Sequence, residues 1–175
     1  EIANSVDFVF CAVDMKKEDF DGTKLVFPAD STEKTGMICK SVIRGDKFFE
    51  TLALVECNLK FNKLPAGQSF VLAFGLPGIE SKLGNKGNVE VTFSNSNGIK
   101  VGVVAYEKAN EPSEVCSPKA AGVSVGANAK IRAEITNAGK ILVSINGKNV
   151  CTGTLPVTGE GRVGFLQTGN CAAEV

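Results

Sequence analysis

The chain has 175 residues, 43% of them hydrophobic and 7% aromatic, with 19 Lys plus Arg balancing 19 Asp plus Glu. That length suits one domain, residues 1–175, able to bury a core of its own. A formal net charge of zero removes the attraction that drives non-specific binding to nucleic acid or an anionic membrane, so both partners are set aside.

Apolar and polar residues alternate with period two along most of the chain, and a sustained helical period is nearly absent, which predicts an almost all-β protein. VDFVFCAV (Val6 to Val13) reads as a first strand. GMICKSVI (Gly36 to Ile43) and FFETLALVECNLKF (Phe48 to Phe61) flank a turn at Arg44-Gly45-Asp46. The second of these runs exceeds an ordinary strand, so a bend or bulge is expected within it. QSFVLAFGL (Gln68 to Leu76) suits a strand covered on both faces. NVEVTFS and IKVGVVAY follow, joined by Asn95 to Gly98, where Asn and Gly tolerate the positive φ of a tight hairpin.

AGVSVGANAKIRAEIT (Ala121 to Thr136) reads as two strands around Gly126-Ala127-Asn128, and Asn137-Ala138-Gly139 turns the chain into KILVSI. Asn146-Gly147 then predicts a hairpin, because a type I′ turn needs positive φ at both central residues. Ile141, Val143 and Ile145 should face one way, and Leu142, Ser144 and Asn146 the other. GRVGFLQTG supplies a further strand with Val163 and Phe165 on one face, and CAAEV opens a closing strand. The polar, Gly- or Pro-bearing segments Lys16 to Lys24, Phe27 to Thr35, Gly78 to Gly87 and Glu107 to Ala120 are read as loops. Surface function is expected there.

Short strands with regular turn signals predict a two-sheet antiparallel sandwich, a jelly roll. The order AKIRAEIT, KILVSINGKNVCTG, EGRVGFLQTG and CAAEV, across residues 120–175, resembles the end of concanavalin A-like jelly rolls, especially laminin G-like modules. The resemblance implies a non-catalytic recognition or adhesion module, binding a glycan or a protein through edge loops. A structural or assembly domain making protein contacts is the alternative.

The six cysteines, Cys11, Cys39, Cys57, Cys116, Cys151 and Cys171, form no CxxC pair, and the chain has no His. Both facts disfavour structural zinc and favour disulfides in an oxidising compartment. A Cys11–Cys171 bridge would tie the two ends of the chain together. An extracellular, secreted or cell-surface module of a larger protein, with neighbouring domains, is the expectation. Membrane insertion is not expected, since no apolar run approaches the ~18 residues of a spanning helix.

The lack of His removes Ser-His-Asp and Cys-His nucleophilic sites and the commonest general base. Glycoside hydrolysis needs only two carboxyl groups. Glu50 and Glu56 share a strand face but are six residues apart, too far for a retaining pair at ~3.3 Å per residue. Glu90 and Glu134 read as isolated, solvent-facing strand acids. A non-enzyme is therefore expected, with an unrecognised glycosidase pair as the second alternative.

Asp14, Glu18, Asp19 and Asp21 precede Gly22 in one loop, a set of oxygen ligands that would suit calcium, with Asp19 and Asp21 as its candidate ligands. The EF-hand spacing is not met. For sugar stacking the chain offers no Trp and one Tyr, Tyr106. Asp19, Asp21, Asn85, Asn88 and Tyr106 are the ligand-contact candidates, being polar or amphipathic residues in or beside loops. Arg44-Gly45-Asp46 is read as a plain turn, and the glycine-rich Leu83 to Asn88, leading into a strand rather than a helix, as a turn and not a phosphate cradle.

Overall fold

The computed structural model describes residues 8–10, 26–27, 35–39, 51–78, 82–168 and 171–175, with the backbone alone for 8–10, 35–39 and 51–52. The strands are β1 (Phe8–Phe10), β2 (Val26–Phe27), β3 (Thr35–Cys39), β4 (Thr51–Lys63), β5 (Ser69–Leu76), β6 (Val89–Asn95) and β7 (Ile99–Lys108). They continue with β8 (Glu111–Ala120), β9 (Asn128–Thr136), β10 (Lys140–Ile145), β11 (Lys148–Thr154), β12 (Arg162–Gln167) and β13 (Ala172–Glu174). A seven-stranded sheet runs β1-β3-β12-β5-β6-β7-β8, and a six-stranded sheet runs β11-β10-β9-β4-β13-β2. The expected all-β antiparallel sandwich is what forms.

Period two decides which residues enter the core. On β5, Phe70, Leu72 and Phe74 face the second sheet, and Val89, Val91 and Phe93 do the same on β6. Ile141, Val143 and Ile145 meet them from β10, on the side the sequence assigns. Phe70 is the aromatic hub: its ring lies 5.0 Å from Phe27, 5.8 Å from Phe61 and 6.1 Å from Phe165, centroid to centroid. These contacts bring rings from four strands together and close the sandwich around apolar area.

β4 spans 13 residues and carries the irregularities expected of so long a run. Its register with β9 slips between Thr51 and Ala53, and its pairing with β13 steps from Lys63 to Phe61. Both expected hairpin turns form, with φ of 54° and 110° at Asn97 and Gly98, and 52° and 80° at Asn146 and Gly147.

Two local expectations are corrected. Residues 107–120 are not a loop: most of them form β8, paired with β7 at the edge of the larger sheet. Backbone pairing holds this strand more than burial does, since Cys116 is its one buried residue, and an edge position tolerates Pro112 and Pro118. Conversely, Ala121 to Val125 is not a strand. Positive φ at Gly122 and Gly126 breaks the extended backbone that its alternating valines imply.

One disulfide, Cys116–Cys151, forms among the described residues, with 5.9 Å between its Cα atoms. It joins β8 to β11, the edge strands of the two sheets, and so locks one side of the sandwich. Among the described residues Cys57 and Cys171 are free thiols, where the sequence reading expected bridges. Cys57 faces the core from β4 and Cys171 is buried before β13, each packed into the apolar core. Cys11 and the side chain of Cys39 lie outside the described residues.

Candidate functional site

The outward face of the seven-stranded sheet is not uniformly open to solvent. Val71, Ala73, Leu76 and Leu166 form a second buried cluster there, and Leu83 packs against it from the segment before β6. The same parity sends Glu90 of β6 outward, yet Glu90 is only 3% exposed. The turn at residues 82–88 is held over it.

Glu90 is the centre of that arrangement. Its Oε2 accepts the Gly84 backbone N–H at 2.8 Å and the Asn88 Nδ2 at 2.9 Å, and its charge lies near the Tyr106 phenol. Burying a carboxyl group is costly unless donors replace water, and these two donors do so. The Asn88 Nδ2 also donates to the Lys82 carbonyl at 3.1 Å. Backbone bonds complete the frame: Gly87 N–H to Tyr106 O at 2.7 Å, Tyr106 N–H to Asn88 O at 3.0 Å, and Asn110 N–H to Gly84 O at 2.8 Å. A Cβ on Gly84 would sit 3.1 Å from Asn110 Oδ1 and 3.8 Å from the Tyr106 ring, so turn, ring and amide meet at one point.

Three residues nominated by the sequence, Asn85, Asn88 and Tyr106, therefore come together. Their roles differ. Asn88 is fully buried and positions the turn instead of facing a ligand. Asn85 and Tyr106 stay half-buried, within reach of one. Burial first, then the neighbouring charge of Glu90, push the Tyr106 phenol above its ordinary pKa of 10.0. Beside it, Glu107, Lys108, Glu111, Pro112 and Ser113 line a polar hollow of about 210 Å³ at the β7–β8 turn.

Glu90 is the residue the sequence reading missed, having placed it in solvent. Strand parity gives its direction correctly but says nothing about a turn folding back over it. Asp19, Asp21 and the rest of the acidic loop, with Glu50 and Arg44-Gly45-Asp46, lie outside the described residues. Among the described residues no three His, Cys, Asp or Glu side chains converge as metal ligands. Glu56 and Glu134 both pair with Arg132, at 3.1 and 2.7 Å, on the outer face of the six-stranded sheet. No helix long and apolar enough to cross a membrane occurs among the described residues.

No protein-family model matches the chain, and no curated protein matches it. Solved structures do. The carbohydrate recognition domain of Emp46p in its metal-free form superposes with a TM-score of 0.72 at 9% identity, over 96% of this chain and 84% of that one. The carbohydrate-binding module CBM66 of Bacillus subtilis gives 0.65 at 10% identity, over 97% and 92%. The alginate lyase PA1167 of Pseudomonas aeruginosa gives 0.54 at 12%, over 86% and 78%. The fold is a concanavalin A-like jelly roll. At these identities the likeness concerns the scaffold, on which both binding modules and a lyase are built.

Proposed function

We propose that this jelly roll is a non-catalytic glycan-recognition module whose contact surface is the Tyr106 corner, with Asn85 and Asn110 beside the ring. The carrying observation is the turn packed beside Tyr106: the buried Glu90 holds Gly84 and Asn88, Tyr106 is bonded through its backbone to Gly87 and Asn88, and its half-buried ring meets the Asn110 amide at Gly84. A fixed aromatic surface ringed by hydrogen-bonding groups suits a sugar, which offers an apolar C–H face and hydroxyl groups, at little cost in ordering. Recognition domains for carbohydrate among the fold mates support the same reading. The Cys116–Cys151 bridge supports an oxidising, extracellular or cell-surface setting, in which the chain serves as a module of a larger protein. A calcium ion on Asp19 and Asp21 remains part of the proposal.

The test is a glycan array probed with the oxidised protein, with and without calcium, beside the Tyr106→Ala and Asn85→Ala variants. Binding of a defined glycan that both variants weaken supports the reading, and calcium dependence extends it to the acidic loop. A blank array for folded protein in both conditions overturns it in favour of a protein-assembly role. Cleavage of the glycans that bind would replace recognition with catalysis.

A further inference from the structure

A second opening lies at the disulfide-locked edge, toward the far end of β8 from Tyr106, roughly 20 Å along the strand at ~3.3 Å per residue. It is a groove of about 550 Å³ between the end of β8 and the β10–β11 hairpin, with Lys119, Ala121, Asn146, Lys148, Asn149 and Val150 in its walls. That volume falls in the ordinary range for small-ligand sites.

The polar side chains of this groove present mostly donors. Lys119 and Lys148 are exposed and have no ion-pair or hydrogen-bond partner among the described residues. The acceptor oxygen of Asn146 is taken by the Lys130 backbone N–H at 2.8 Å, and that of Asn149 by the Thr152 hydroxyl at 2.9 Å. Two ammonium groups and two amide NH₂ groups are left for a ligand, and no Asp or Glu lines the groove. A partner that satisfies four donors and two positive charges is acceptor-rich and anionic.

The walls are also rigid. The Asn146 N–H donates to Lys130 O at 2.8 Å while its side chain bonds the same residue, which fixes the hairpin tip to β9. Below it, Cys116–Cys151 fixes the hairpin strand to β8. The two amide donors held this way lose little freedom on binding. Ala120, also in the wall, and Val150 add apolar surface for the C–H face of a ring. No aromatic side chain lines the groove and the chain is neutral, both of which disfavour single-stranded nucleic acid.

We propose that this groove binds an acidic saccharide, a short stretch of sugar bearing carboxylate or sulfate groups. The saccharide class rests on the glycan-recognition reading above, whereas the anionic character rests on the groove alone. Amide-resolved NMR titration of the oxidised protein tests it, using trigalacturonate, its methyl ester, a sulfated trisaccharide and a triglutamate peptide. Trigalacturonate should shift the amides of Lys119, Lys148 and Asn149, and should bind at least tenfold more weakly as the ester, at high salt, or to Lys119→Gln/Lys148→Gln. The Tyr106→Ala variant should bind it as the wild type does, and Lys119→Arg/Lys148→Arg should keep most of the affinity. Sulfated trisaccharide shifting the same amides supports recognition of the shared anionic chemistry. Equal binding of the ester, indifference to the Gln substitutions, or a triglutamate affinity matching the sugar's would each overturn the proposal. A blank array with the groove titration intact fails the Tyr106 reading alone, and the reverse fails the groove alone.

Discussion

The Tyr106 side chain lies beside the Glu90 carboxylate, one strand away on the same outward face of the larger sheet. Burial and this neighbour both favour the neutral phenol, so its pKa lies above the ordinary 10.0. Tyr106 is the one tyrosine in a chain without tryptophan, so near-ultraviolet absorbance reports it alone. The midpoint of phenolate formation should lie above 10. Its stabilising contribution is complete below the unfolded-state pKa and is lost as pH rises through the folded one. Glu90→Gln should lower the midpoint without restoring the ordinary value, because burial is the larger cause. A wild-type midpoint at 10 would contradict this packing.

The Cys116–Cys151 bridge closes a loop of 35 residues of sequence separation. Loop-closure entropy alone assigns such a bridge about 3–4 kcal/mol. Cys116→Ser/Cys151→Ser should lower the unfolding free energy by up to that amount, with denaturant melts as the measurement. Peptide mapping without reduction should recover 116 linked to 151. Another partner for either residue would show that the edges are joined differently.

Cys57 and Cys171 should be inert thiols. Burial pushes each up to about 12, leaving almost no thiolate near neutral pH, and the thiolate is the reactive form. Alkylation of the folded protein at mildly alkaline pH should leave both unmodified, and denaturant should expose them. Labelling of Cys171 at the rate of a free thiol in the native state would mean that its burial is transient.

The sequence was most legible where structure is local. Asn146-Gly147 dictates its own turn, and the parity of Ile141, Val143 and Ile145 dictates the core face of β10, because each depends on residues a few positions apart. β8 was illegible for the opposite reason: its two prolines and exposed charges look like a loop, and pairing with β7, a tertiary fact, makes it a strand. Glu90 and the disulfide belong to the same class. One depends on a turn folding back over a sheet face, the other on the meeting of edge strands from two sheets. Asn85, Asn88 and Tyr106 were found as loop-side polar residues, but the burial that separates Asn88 from the other two follows only from the fold.

Gly147→Val tests the local part of that reading. A Cβ there meets nothing within 4 Å, but φ is 80°, a conformation in which a β-branched residue is strained. The variant should lose ~1–3 kcal/mol in thermal or denaturant melts and should loosen the donor groove by moving the hairpin tip. Unchanged stability would mean that the turn adopts another geometry.

Gly153→Ala tests the locked edge. A methyl group at Gly153 would fall 2.5 Å from both the Val115 carbonyl oxygen and its Cγ1. The side chain could move, but the carbonyl belongs to β8, and the bridge at Cys116 and Cys151 keeps β8 and β11 from parting. Overpacking of this kind costs ~1–3 kcal/mol, and Val115→Ala should recover only the part due to the side chain. In a Cys116→Ser/Cys151→Ser background the two strands are free to separate, so the same methyl group should cost less, with a coupling of at least ~0.5 kcal/mol between the changes. Strictly additive losses would show that backbone packing, and not the disulfide, sets the distance between the two edges.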